Sequence, residues 1–246
     1  MESGTSIQHG PKIAAFDCAA GRVAIAFAGN VTSAVSTIQK CGKLVRKLDA
    51  HQDIVAELES VLDGQYRRLV FGHPHYGKDG EFDLHFGLLV SVWLKADGKT
   101  YLFASDETKL NSVYAKYHCL GIGKDLGDYI AGPLLYDADP PVREESALIL
   151  AAFMLARVKD TVPGTGGVAQ FYSMRHTGEA TPNVNMIVDE IQKVSRGYEV
   201  ESRKLLFSMA GDDESELEDR LKGFGVLARN LMRVWRIMKA ANPTAQ

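Results

Sequence analysis

Cysteine is scarce in this chain: Cys18, Cys41 and Cys119 are the three present in 246 residues. Each lies in an apolar stretch and none is close to another, which argues against a disulfide framework or a thiolate zinc site. An excess of charge is lacking too. Lys and Arg number 28 against 31 Asp and Glu, giving a net charge of −3 and a pI near 6.2. That balance offers no electrostatic basis for binding nucleic acid. Long hydrophobic runs are missing as well. The longest, Ala147 to Ala156, falls short of the roughly 20 residues that span a bilayer, so no membrane partner is expected. The N-terminus Met1-Glu2-Ser3-Gly4-Thr5-Ser6 has no apolar signal region. A reduced, cytoplasmic setting follows as the expectation, with no cofactor and no metal. His73, His75 and His85 are the imidazoles worth weighing as ligands, but their Gly-rich loop lacks the ligand spacing of a zinc site.

What is present is a chain that is 46% hydrophobic and 24% charged, enough for one domain of generous size or a domain with an appendage. Its organising stretch is Lys12 to Leu48. A short apolar strand, Ile13–Phe16, leads through a turn at Cys18–Gly21 into a second strand, Val23–Ala28. There Val23, Ile25 and Phe27 alternate with alanines, so neither face is polar and both faces need cover. The strand closes in Ala28-Gly29-Asn30. Asn30 is a helix cap, and Val31, Ala34, Val35, Ile38, Cys41, Val45 and Leu48 give the following helix one apolar side. The basic cluster Lys43 to Lys47 is the solvated side of that helix.

Further along, Ile54, Val55, Leu58, Val61 and Leu62 form a second amphipathic helix. Leu88–Leu94 and Thr100–Ser105 are strands joined by the hairpin signal Asp97-Gly98. Lys116–Leu120 is a further expected strand, ending in Gly121-Ile122-Gly123. A helix over Lys124–Tyr136 follows, then the longest expected helix, Val142–Val158, capped by Asp139. The Gly121-x-Gly123-x-x-x-Gly127 spacing is one residue too long for a dinucleotide fingerprint, and the strands before it pair through hairpins. Asp160-Thr-Val-Pro-Gly-Thr165-Gly166-Gly167 is a Gly-rich loop with neither the Lys nor the helix of a phosphate-binding loop. It leads into a strand over Val168–Met174. The remainder is helical. Ile187, Ile191, Val194 and Tyr198 share one face, and Leu217, Leu221, Phe224, Ala228, Leu231, Trp235 and Met238 make a heptad seam.

The order of these segments resembles proteasome β subunits and the HslV-type bacterial protease subunits, which are N-terminal-nucleophile (Ntn) hydrolases. The match rests on Lys-Ile before the first strand, Ala-Phe-Ala-Gly closing the second, the long helix after it, the Gly-x-Gly turn, and Asp160 before Thr165-Gly-Gly. The resemblance implies an α+β fold: a four-layer αββα sandwich of two antiparallel sheets over residues 1–180, with a C-terminal helical extension over 181–246. It implies hydrolysis of peptide or amide bonds by a mature N-terminal Thr whose own amine is the base. Residue by residue, Lys12 matches the lysine that lowers the nucleophile's pKa and Gly29 matches the oxyanion glycine. Asp160 and Thr165 match the residues around the terminal amine. A homo-oligomer with a peptide or protein substrate is the implied partnership.

Two departures stand beside the match. Ile122 occupies the place of a hydroxyl residue in the Gly-x-Gly turn. Eleven residues precede Lys12, too few at about 3.3 Å per residue to run up one strand and return. The first hairpin, with the nucleophile, is therefore expected to be missing from the chain as given, which predicts inactivity. The alternative is a non-catalytic subunit with an assembly or binding role.

Overall fold

The computed structural model describes residues 12–74, 84–115, 117–135, 144–165, 169–174, 177–178, 180–181 and 185–208, with 219, 221–223, 225–226, 229–230, 232–233 and 236 beyond them. The chain divides into two units, Met1–Asp128 with Gly166–Asn183, and Tyr129–Thr165 with Val184–Gln246.

The first unit is built on a five-stranded antiparallel sheet in chain order: β1 (Ile13–Asp17), β2 (Gly21–Gly29), β3 (Phe86–Leu94), β4 (Lys99–Asp106) and β5 (Lys109–Ser112). Pairing puts Phe16 opposite Val23 and Val23 opposite Val92. Ala14, Ile25, Val90 and Phe103 form the next row. The side chains of these rows share one face, because residues two apart on a strand point the same way. That face is covered by α1 (Val31–Val45) and α2 (Ile54–Tyr66). Val23, Ile25, Leu88, Val90 and Val92 are buried against Ala34, Ile38, Cys41, Val45, Ile54, Leu58 and Leu62. In β3 every second residue, Phe86 to Val92, is buried and the ones between are half-buried.

Local chemistry sets the helix starts. Asn30 Oδ1 accepts from Ser33 N at 3.0 Å to begin α1. Asp53 Oδ1 accepts from Val55 N at 2.9 Å and Ala56 N at 3.2 Å to begin α2. Each satisfies amides that a helix leaves without partners. A π-helical turn, Arg67–Phe71, ends the second helix. The Asp97-Gly98 turn forms as its sequence predicts: Gly98 has φ +65°, and Asp97 accepts from Lys99 N at 2.9 Å and from the Tyr101 hydroxyl at 2.5 Å. That contact moves Asp97 below its ordinary carboxyl value, chiefly through the tyrosine.

The described residues of the second unit are mainly helical. A helix α3 (Lys124–Leu135) leads into it, and α4 (Glu144–Thr161) packs against α5 (Asn185–Ser208). Val188, Ile191, Gln192 and Ser195 form the buried stripe of α5. Gln192 Nε2 reaches Ala152 O at 3.5 Å and Arg157 pairs with Glu199 at 2.5 Å. No helix among the described residues is long and apolar enough to cross a membrane.

Beside the five-stranded sheet, the described residues hold a two-stranded ladder, β6 (Ser173–Met174) with β7 (Ala180–Thr181), and the expected two-sheet sandwich is not shown among them. Other expectations are corrected. Among the described residues, 117–120 carry no ladder and of 169–174 the last two alone are strand, while Lys116 and Val168, where those two expected strands begin, lie outside the described residues. β5 is an addition: its Lys-Leu-Asn-Ser sequence carries no strand pattern, and it is held by pairing to β4 and by Glu59 accepting from Leu110 N at 2.8 Å. Among the described residues the longest helix is α5, not the one before Thr161. Tyr198 is 48% exposed and leaves the α5 stripe, which runs instead through Val188 and Ser195. The expected cap Asp139 and most of the heptad seam lie outside the described residues; of the seam, Leu221 is described and is exposed.

Candidate functional site

The best-defined feature is the exit of β2. Gly29 has φ +87°, and a Cβ there would lie 2.5 Å from His85 O and 2.9 Å from Phe86 Cα. Glycine alone tolerates both the left-handed backbone and that approach. The next amide, Asn30 N, donates to His85 O at 2.9 Å. The chain thus turns from strand to helix pinned against the start of β3. That start is held in turn by Tyr66, whose buried hydroxyl donates to Phe86 O at 2.5 Å and accepts from Phe86 N at 3.3 Å. Ser105 Oγ accepts from Leu88 N at 2.7 Å. Two side chains therefore take over where the β3–β4 ladder, which begins at Leu89 and Ala104, has stopped. Sequence reasoning missed Tyr66, although Leu58, Leu62 and Tyr66 continue one i, i+4 row on α2.

A second glycine turn sits beside the first. Gly121 has φ +87°, and a Cβ on it would come within 2.9 Å of the Ala28 Cβ. Lys124 N donates to Gly121 O at 3.0 Å as α3 begins. Ile122 projects outward at 72% exposure. Cys119, Lys124 and Asp128 cluster here. Lys124 Nζ reaches Asp128 Oδ2 at 2.5 Å. Burial alone would raise Asp128, but hydrogen bonds from Lys124 and Cys119, with the charges of Lys124 and His118, hold it below its ordinary value. Burial, then the Asp128 carboxylate, push the Cys119 thiol up to about 11. Burial pushes Cys41 up to about 12. Neither thiol is primed as a nucleophile at neutral pH, because the reactive species is the thiolate.

Of the four residues singled out from sequence, Lys12 and Gly29 belong to the first unit, and Asp160 and Thr165 to the second. Lys12 is exposed, and its backbone amide donates to Gln170 Oε1 at 2.5 Å. Asp160 is 41% exposed and forms a two-pronged pair with Arg196, Nε to Oδ2 at 2.8 Å and Nη2 to Oδ1 at 2.9 Å. That hydrogen-bonded cation lowers its pKa. Thr165 Oγ1 donates to Val158 O at 2.9 Å and Val162 O at 2.6 Å. Its hydroxyl closes the C-terminal end of α4, where carbonyls lack intrahelical partners. Among the described residues no group of three or more His, Cys, Asp and Glu is arranged to hold a metal ion.

No protein-family model matches the chain, and no curated protein matches it by sequence. Solved structures do share its fold. Anbu (ancestral beta-subunit) from Yersinia bercovieri is 14% identical with a TM-score of 0.56, over 82% of this chain and 85% of that one. The helical assembly of the Anbu complex from Pseudomonas aeruginosa gives 14% identity and a TM-score of 0.60, over 83% and 87%. An Anbu (Gly-1) mutant from Hyphomicrobium sp. strain MC1 gives 11% and 0.54, over 83% and 85%. Anbu proteins are proteasome-like relatives of the Ntn hydrolases. The assignment to proteasome β or HslV-type subunits lacking a first hairpin is corrected by this finding: the fold matches reported are Anbu subunits, each covered over most of its length. The short motifs behind that assignment follow the order of elements, and at 11–14% identity the likeness lies in the fold alone.

Proposed function

We propose that this protein is a subunit of Ntn-hydrolase type that serves by assembly or binding rather than by peptide hydrolysis. The observation that carries the reading is the engagement of the two polar groups expected around a terminal amine. Both Asp160 oxygens are held by Arg196, and the Thr165 hydroxyl is held by the end of its own helix. Neither is poised to receive a proton or orient an amine, as general base chemistry requires. Ile122 at the Gly-x-Gly turn and the exposed Lys12 support the same side. In this reading residues 1–180 carry the Ntn-type body, residues 181–246 are a helical extension, and the working form is a homo-oligomer in the cytoplasm, in keeping with the helical assembly named for the Pseudomonas aeruginosa relative.

A second reading, a threonine-type peptidase or amidohydrolase, is favoured by one observation. The Gly29 elbow opens into a helix N-terminus, whose positive end suits a developing oxyanion. The two separate in one experiment. The purified protein is incubated with fluorogenic peptides and a threonine-directed electrophile, then weighed intact. The assembly reading expects no turnover and no adduct. Turnover that disappears in Lys12→Ala, together with an adduct on a residue ahead of Lys12, would establish the hydrolase instead.

A further inference from the structure

A groove of about 330 Å³ lies between β1 and α1. Phe16, Phe27, Val35 and Ile38 line it, and Lys43 and Arg46 stand at its polar side. Its volume is at the lower end of sites that take a ligand side chain or small molecule, about 300 Å³ and upward. The Arg46 guanidinium sits over the Phe16 ring, 5.1 Å from its centroid, which holds the charge at the rim. The whole segment Val31–Leu48 carries Lys40, Lys43, Arg46 and Lys47 and no Asp or Glu. Among the described residues none of these four cations makes an ion pair. The one acid on the adjoining strand, Asp17, pairs with Arg22. β1 is also the end of the sheet order, and among the described residues no strand covers its outer side. Such an edge is a template for an extended segment from another chain.

The sequence contains a segment with the complementary chemistry. Asp212-Asp-Glu-Ser-Glu-Leu217-Glu218 has five carboxylates, no cation and a single apolar residue flanked by two glutamates. We propose that this acidic stretch of a second copy of the chain docks in the β1–α1 groove. Leu217 enters between Phe16 and Ile38, and Glu216 and Glu218 reach Lys43 and Arg46. Each copy carries one groove and one such stretch, so the contact closes as a reciprocal dimer or propagates head-to-tail into a ring or filament. This inference is independent of whether the protein hydrolyses anything.

A charge swap tests it. One variant carries Lys43→Glu and Arg46→Glu; the other carries Asp213→Lys, Glu216→Lys and Glu218→Lys. Mass is followed by light scattering against protein concentration and salt, with circular dichroism as the folding control. Wild type is expected to assemble, less so as salt rises. Each variant alone is expected to need about tenfold more protein or higher for the same mass. Mixing the two variants restores assembly, because the reversed groove of one now meets the reversed stretch of the other. A folded mixture that stays at single-copy mass overturns the proposal. So does a wild type that never associates, or a groove variant that assembles like wild type, as association through the Leu217–Met238 seam would give. If the reversed groove fails to fold, Lys43→Gln with Arg46→Gln takes its place and must weaken wild-type assembly in the same sense.

Discussion

Replacing Tyr66 by Phe removes one oxygen and leaves two backbone groups of Phe86 without their partner. Tyr66 is 2% exposed and Phe86 3%, so water is not at hand to take over. A buried polar group left unpaired costs about 1–3 kcal/mol. The carbonyl, bonded at 2.5 Å, belongs at the upper part of that range; the amide, at 3.3 Å, belongs at the bottom. Sparing the hydroxyl its own burial offsets part of the loss. The expected net is about 2–3 kcal/mol. Because Phe86 lies opposite Gly29 in the ladder, the loss falls on the elbow into α1. Site-resolved hydrogen exchange reads it there: the amides of Phe86 and Asn30 should exchange about 30- to 150-fold faster. Amides at the far end of the sheet, near Trp93, should move less. Protection unchanged at Phe86, or a loss spread evenly over the sheet, would refute the idea that this hydroxyl substitutes for a missing stretch of β4.

The remaining predictions concern titrating groups. Asp160 has its folded pKa below its unfolded value of about 3.9, so its pairing with Arg196 contributes above that value and is lost as pH falls through the folded one. The pair is well exposed and therefore screened, so the expected effect is a modest loosening of α5 amides below about pH 4, absent in Asp160→Asn. Cys119, with its thiol near 11, should alkylate slowly at pH 8, and Asp128→Asn should speed it by removing the carboxylate that opposes the thiolate. Peptide-resolved mass spectrometry after iodoacetamide measures both, and equal rates in the two proteins would count against the pairing.

Most of the first unit was legible because its signals are local. The alternation in Val23–Phe27, the apolar run Phe86–Leu94, the Asn30 cap and the Asp97-Gly98 turn each act over a few residues, and each forms as read. The one-sided apolar pattern of Val31–Leu48 likewise became the face on the sheet. What was not legible depends on partners distant in the chain. β5 exists through β4 and Glu59, and nothing in Lys109–Ser112 announces it. The segment before Gly121 has strand-like residues, yet among the described residues it joins no ladder. Asp160 and Thr165 were legible as residues, but not their partners: Arg196 lies 36 positions away, and a helix end claims the Thr165 hydroxyl. Whether a polar side chain is spent on structure or left for chemistry is decided by such contacts, which spacing alone does not encode.

The strand order has a consequence for how the chain acquires its shape. Every strand of the five-stranded sheet pairs with its neighbour in sequence, and three of the four junctions are short turns. The exception is β2 with β3, where residues 30–85, and with them both covering helices, lie between the partners. Closing a loop of that length costs chain entropy before any ladder bond rewards it. The apolar face of α1 meets both α2 and β2 without needing β3. The slow step in folding this unit should thus be the arrival of the Phe86–Ser112 meander on a helix pair that already rests against β2 through α1. The rate of that step will depend on how well Leu58, Leu62 and Tyr66 pre-form the surface that receives it.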